Sequence, residues 1–502
     1  MSSQSEQRFS SRWGLLLSVL GIAVGTGNIW RFPRIAAQNS GDEGAGAFLI
    51  AWILFLLLWS VPLIIAEYAL GRKGRMGLIG TFTKVVGERY AWMGAFIGFV
   101  ATAIMFYYSV VAGWCLFYFT EMLTNPLPLS TEAATSVWEG FQGGGQPIMF
   151  HAIAMGFGAL VVWRGISSIE RVNKILIPTL VAIVLVAFFR SVTLDGAIDG
   201  IAFLFTPEWS LLANPELWLD ALTQNAWDTG AGWGLILTYG AYMQREHGIV
   251  KNSIITGVGN NTVSLVAAVT IFAAAFAILG ADMSRAEVLN VMKDSGPAST
   301  GLTFIWMPQI FQSMPGGNVF AVLFFLGLSF AAFSSLISMI ELATRMFVDG
   351  GLSRTTAVAC VCTIGFLLGI PSAMNLDILG NQDFVWGVAL MISGALVAFA
   401  VIRYGPGHLR REEVNATPGD WGVGKSWTLV IKYAIPFQAI VLLVWWLYQT
   451  IAVYAPDTWY DPFDYYSFMT CIAQWGTVMI FFMLINRWLV ARLKAGALKG
   501  FK

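Results

Sequence analysis

Apolar runs of about 20 residues, each long enough to cross a bilayer as a helix, recur along the whole chain and are separated by short polar segments. They lie near residues 13–36, 47–70, 90–123, 148–163, 173–190, 218–243, 253–280, 318–348, 355–371, 383–402, 429–453 and 464–489. The pattern predicts an all-α polytopic membrane protein with about twelve transmembrane helices. Two of the runs interrupt themselves. The first contains Gly21-Ile-Ala-Val-Gly25-Thr-Gly27-Asn28 and the sixth contains Asp228-Thr-Gly230-Ala-Gly232-Trp-Gly234. Glycine at this density at mid-membrane depth favours unwinding, and freed backbone groups must then be buried in protein or line a polar cavity. Glycine used only for close helix packing is the alternative.

Runs one and six open two successive sets of five, which is the pattern of a five-plus-five inverted repeat with discontinuous first and sixth helices and ligands held at the breaks. The expected division is a terminal segment 1–11, a first repeat 12–190, an outer loop 191–217, a second repeat 218–404, a loop 405–428, and two further spans with a tail over 429–502.

Composition sharpens this picture. The 502 residues are 57% hydrophobic and 12% charged, against about 25% charged in an ordinary soluble protein, which excludes a soluble enzyme. With 29 basic and 29 acidic residues there is no basic excess for a nucleic-acid partner. An even span count puts both termini on one side. Assigning them to the cytoplasm places 24 of the 29 basic residues there, leaving Arg31, Arg34, Arg190, Arg285 and Lys293; this predicts a multi-pass inner (plasma) membrane protein with cytoplasmic termini. Residues 1–7 are polar and lead into a span, not a cleavable signal. Cys115, Cys360, Cys362 and Cys471 lie in apolar runs and suggest neither disulfide nor metal site.

The string Gly25-Thr-Gly27-Asn28-Ile-Trp-Arg31-Phe-Pro33 resembles the first span of the neurotransmitter:sodium symporters, the family of the bacterial leucine transporter. Pro62 through Glu67 to Gly71-Arg72, Tyr107-Tyr108, Thr238-Tyr239 and Ser334-Ser335 extend the resemblance over nearly all of the chain. It implies two sodium sites. One would use the Ala23 carbonyl with Asn28, Asn260 and Asp228. The other would use the carbonyls of Gly21, Val24 and Ala331 with the hydroxyls of Ser334 and Ser335. Hard cations take oxygen ligands, and an unwound turn presents carbonyls. Interhelical hydrogen bonding is the lesser alternative for the serines and for the asparagines.

The resemblance further implies that the amides of Thr26 and Gly27 and the Tyr108 hydroxyl hold a substrate carboxylate, since helix-start amides favour anions. Monoamine carriers have aspartate where this chain has Gly25, so an amino acid is implied. Ile104, Trp227, Trp233, Ser338 and Met339 would form the side-chain pocket, beside Ala23, Ser335 and Gly230, and their apolar character suits a neutral substrate. Gly230 stands where the family often has serine. Arg31 with Asp383 would close the outer side above Tyr108 and Trp233. Tyr242 and Asp349, with Arg8 or Arg12, would close the inner side, because Glu6 occupies the position of the family's arginine. Glu67 is expected to hydrogen-bond the unwound sixth span, and Asp42-Glu43 to be solvated.

Asp228 replaces the usual Thr or Ser, and Trp52 replaces the tyrosine of chloride-dependent members, while Gln224, Asn260 and Ser264 stay polar. A buried carboxylate there implies that chloride is not required, or that a proton is carried. The expected function is sodium-coupled uptake of an amino acid by alternating access; a charge crossing 100 mV releases about 2.3 kcal/mol and a tenfold gradient adds about 1.4 kcal/mol. Alternatives are a ligand sensor of the same fold and a proton-linked transporter using Asp228. The chain has three histidines and no hydrolase, zinc-protease or phosphate-loop string, so an enzyme is not expected.

Overall fold

The computed structural model describes residues 7–293 and 301–500, with side chains to residue 496. Among these, nine helices are long and apolar enough to cross a membrane, and two bent pairs, Arg12–Ala23 with Gly27–Gln38 and Phe468–Leu484 with Asn486–Gly496, bring the number to eleven. The twelfth is span six, split into Pro215–Thr229 and Leu235–Gly240. Spans two to five are Gly46–Gly74, Glu88–Thr124, Gln146–Trp163 and Ile166–Val192; seven to eleven are Ile249–Ala281, Gly317–Asp349, Arg354–Met374, Leu376–Tyr404 and Lys425–Tyr454.

Burial sorts these helices into an inner and an outer set. The apolar windows of spans three, eight and ten are 83%, 72% and 72% buried, whereas those of spans five and eleven are 33% and 28% buried. Span three therefore runs through the centre, and span eleven turns Phe437, Ile440 and Val444 outward, as a lipid-facing helix would.

On one face of the bundle the connections between spans carry helices of their own. Thr131–Gln142 begins at Ser130, whose hydroxyl accepts the Ala133 amide, and packs Phe141 flat on Phe117 of span three with ring centroids 4.0 Å apart. Leu302–Trp306 brings Phe304 against Trp138, Tyr118 and Trp30. On the opposite face, the loop after span ten is fastened to span two by Arg72–Glu413 and Lys73–Glu412 ion pairs.

Candidate functional site

Span one starts at Ser11, whose hydroxyl accepts the Gly14 amide, and leaves helical geometry at Val24 (φ −79°, ψ 82°) before resuming at Gly27 with a 51° bend. The first half of span six starts at Asn214-Pro215 and is capped by Gly230; Gly230, Gly232 and Gly234 of the break all have positive φ (66°, 89° and 80°). An L side chain is strained in that region, so the glycines are required by the backbone. At Gly230 a Cβ would also stand 2.8 Å from Ile22 Cγ2, so a serine there would meet span one as well as the strained backbone.

Freed backbone groups at both breaks are held by side chains. Glu67 of span two is fully buried and accepts the amides of Gly232 (2.6 Å), Gly234 (3.2 Å) and Leu237 (2.9 Å), as the sequence predicts. Asn28 Oδ1 accepts the Gly25 amide at 2.8 Å. Just ahead of the second break, Thr229 donates to Ser60, Ser60 donates to Asn225, and Asn225 donates to the Trp52 carbonyl at 2.6 Å. This clamp between spans two and six uses polar residues that apolar patterning passes over; their four-residue spacing, Asn225 to Thr229, was the available signal.

The two breaks touch. A Cβ on Gly27 would lie 3.1 Å from Asp228 Oδ1 and 3.3 Å from Trp227 Cδ1. Between them is a cavity lined by Ala23, Gly25, Gly27, Tyr108, Trp227, Asp228, Gly230, Trp233, Ser335 and Met339 of the predicted set, together with Ile22, Asn28 and Leu235. Thr26 joins it through its Oγ1, 3.3 Å from the Tyr108 hydroxyl. Two expected pocket residues fall outside this lining. Ile104 is packed in the core, and Ser338 is taken by Tyr239, whose hydroxyl is 2.9 Å away, and by the Ser334 carbonyl. A helical serine that can reach its own preceding turn often does so.

Oxygen atoms gather on either side of the cavity. One amide atom of Asn260 stands 2.7 Å from Asn28 Nδ2, 2.9 Å from the Ala23 carbonyl oxygen and 3.2 Å from that of Asp228. Turned one way this amide donates to the two carbonyls; turned the other way three oxygens converge. Asp228 is buried, with Oδ2 3.4 Å from Ser264 Oγ and Oδ1 without a hydrogen-bond partner among the described residues. On the other side Ser335 Oγ lies 3.3 Å from the Gly21 carbonyl and 3.4 Å from that of Ile22, and Ser334 donates to the Ala331 carbonyl at 2.9 Å. Gly21, Ala331, Ser334 and Ser335 are thus brought together.

The expected outer pair is separated. Asp383 accepts the Tyr107 hydroxyl at 3.0 Å, and the Arg31 guanidinium lies over the Trp227 ring at 5.2 Å, so each charged group has another partner. At the end expected to face inward, Tyr242 donates to Glu341 of span eight, a fully buried carboxylate paired with Arg354. Asp349 pairs with Arg345 at 2.9 Å and accepts the Gly77 amide at 2.6 Å. Arg345 lies over the Tyr242 ring, so Tyr242 and Asp349 belong to one cluster, with Arg345 supplying the cation. Arg12 donates instead to Asn252 at 3.0 Å, and Glu6 lies outside the described residues. The sequence reading missed Glu341 and Arg354, although a lone carboxylate near the end of an apolar span was a visible signal. Asp42 and Glu43 are exposed.

A sequence model of the sodium:neurotransmitter symporter family matches residues 6–140 and 146–495. An uncharacterized sodium-dependent transporter of Methanocaldococcus jannaschii is 30% identical, with 83% of this chain and 85% of that protein covered. The sodium-dependent neutral amino acid transporter B(0)AT3 of Rattus norvegicus is 27% identical over 72% and 71%. Among solved structures, MhsT in complex with L-phenylalanine is 29% identical, with a TM-score of 0.75 over 87% of this chain and 99% of that one.

Proposed function

The chain belongs to the sodium:neurotransmitter symporter family, a family of transporters and not of enzymes, and from that membership we propose that it imports a neutral amino acid together with sodium. The observation that carries the substrate class is the composition of the cavity between the two breaks. Gly25 supplies no carboxylate for an amine, while the Tyr108 hydroxyl faces Thr26 at the start of a helical segment, where backbone amides favour a carboxylate. Trp227 and Trp233, edge to face at 5.1 Å, with Met339 and Leu235 give the rest of the cavity an apolar lining. MhsT was solved with L-phenylalanine, which fits a site of this character.

Two sodium ions drive the cycle in this proposal. The first is bound by the Ala23 carbonyl, Asn28, Asn260 and Asp228; the second by Gly21, Val24, Ala331, Ser334 and Ser335. Asp228 carries the negative charge that makes chloride unnecessary, because a carboxylate at this depth is costly to leave ionised without a cation beside it. Its unpartnered Oδ1 also favours a second reading, in which Asp228 takes up a proton when sodium leaves. Arg31, Asp383, Tyr107 and Trp227 form the outer closure, and Tyr242, Glu341, Arg345, Asp349 and Arg354 the inner one. The protein lies in the inner membrane with cytoplasmic termini, in contact with lipid.

Uptake of labelled amino acids into sealed vesicles, with and without an inward sodium gradient, tests the proposal. Uptake should follow the gradient and collapse when Ser334 and Ser335 are both replaced by Ala with folded protein retained. Unchanged sodium dependence in the double variant sinks the second site.

A further inference from the structure

The inner half of span one lies along span five through a seam of small and polar residues. At its cytoplasmic mouth Glu170 accepts the Ser10 amide (2.7 Å), the Ser10 hydroxyl (2.5 Å) and the Ser11 hydroxyl (3.3 Å), and pairs with Lys174 at 2.7 Å. Span one presses close here, since a Cβ on Gly14 would fall 1.9 Å from Glu170 Oε1. One turn deeper on span five is Asn173, fully buried, with neither amide atom hydrogen-bonded among the described residues. Facing it across span one, a Cβ on Gly21 would be 3.3 Å from Asn173 Oδ1 and 3.2 Å from Ser334 Cβ. Ser18, one turn before Gly21, is likewise buried with its hydroxyl unpartnered.

Buried polar side chains are almost always paired, and an unpaired one signals a guest such as water or an ion. Asn173 and Ser18 are two such groups on facing helices. Asn173 adjoins Gly21, beside which lies Ser334, and Ser18 is one turn from Gly21; the proposed second sodium site uses both Gly21 and Ser334. Asn173 offers an amide oxygen, the ligand type a hard cation takes. The Lys174 ammonium is neutralised by Glu170, so its charge does not bar a cation from the seam.

We propose that Asn173 is a further, transient ligand of sodium, receiving the second ion from Gly21 and Ser334 as it leaves toward the cytoplasm past Glu170. This rests on the assignment of the second site to Ser334 and Ser335. A transient ligand lowers the barrier to exit without holding the resting ion, so its loss slows turnover more than it weakens binding.

The test is Asn173→Leu, which keeps the side chain's approximate shape and removes both polar atoms. Turnover is read in sealed proteoliposomes, and sodium binding as the sodium concentration giving half of the thermal stabilisation in detergent. Turnover should fall at least tenfold while that midpoint stays within twofold. Asn173→Asp keeps the oxygen and adds charge, so its midpoint should drop at least threefold as turnover slows. Parent-like turnover in Asn173→Leu overturns the proposal. So does a midpoint that rises in proportion to the turnover lost, because Asn173 would then act on the resting site. If the leucine variant does not accumulate, the aspartate variant decides, and an unchanged midpoint overturns the proposal. Ser334→Ala is measured alongside: because the first site can still give some stabilisation, the second site itself is removed only if both the sodium midpoint and the sodium dependence of uptake match the parent in this variant, a failure distinct from that of Asn173.

Discussion

Replacing Glu67 with Gln keeps shape and volume but changes what span two offers the broken span six. In the parent, Oε1 accepts the Gly232 and Gly234 amides and Oε2 accepts that of Leu237. Glutamine has one acceptor oxygen, so whichever way it turns, at least one amide meets an NH2 group. Hydrogen bonds to a charged group contribute roughly 1.5–3 kcal/mol each and neutral ones roughly 1 kcal/mol. Losing the charge from two bonds and the third bond altogether costs about 2.5–7 kcal/mol. The amides affected alternate with Trp233 and Leu235 of the cavity lining, so much of this cost falls on the binding-competent arrangement; at about 1.4 kcal/mol per decade, amino acid affinity should weaken at least tenfold. Glu67→Ala, which leaves three buried amides without the carboxylate, should cost more and lower yield. Equilibrium binding of labelled substrate to purified protein, with thermal stability measured on the same sample, reads both effects. Affinity and stability within twofold of the parent in Glu67→Gln would refute the argument that this carboxylate holds the break.

Three more expectations follow from neighbouring residues. Tyr108→Phe removes only the hydroxyl beside Thr26, so affinity for amino acids should fall about tenfold or more while the corresponding amines gain nothing; parent-like amino acid binding would remove the carboxylate pose. Asp228→Ser should lower transport, and adding Trp52→Tyr should restore part of it in the presence of chloride; chloride-dependent uptake by the parent would contradict the role given to Asp228, whereas vesicle pH changing in step with sodium would support the proton reading. Arg354→Ala strands the buried Glu341 carboxylate and should destabilise by about 3–5 kcal/mol, with Glu341→Gln much milder in thermal melts; equal effects would mean that the charge pairing is unimportant.

Apolar runs located all twelve spans because each span's length is set by the bilayer and not by its neighbours. Where boundaries moved, a specific contact explains the shift. Span five begins at Ile166, earlier than its apolar window, because Glu170 and Lys174 satisfy each other and Ser10 and Ser11 complete the carboxylate's bonds. Span twelve breaks at Ile485 by 57°, where the Asn486 side chain accepts the Trp92 amide and donates to the Glu88 carbonyl; that bend depends on a partner nearly 400 positions away in sequence. The two glycine breaks were legible because glycine density acts locally. Ser338 was misplaced, and Glu341 passed over, because the direction of a helical side chain is chosen by what packs beside it, here Tyr239 and Arg354.

Asn260 has a consequence for the order of events. One of its amide atoms reaches carbonyls from two different broken helices, Ala23 of span one and Asp228 of span six, while its own backbone belongs to span seven. An ion at that point, as proposed, would act as a rivet through three helices, and its loss would loosen all three together. The cavity shares Ala23, Asn28 and Asp228 with this junction, so in the proposed cycle the chamber would be complete only after the ion has arrived. On the proposed site assignment such an arrangement would work as a coincidence detector: substrate entering first would find an unfinished chamber and leave again, which would suppress passage of one solute without the other.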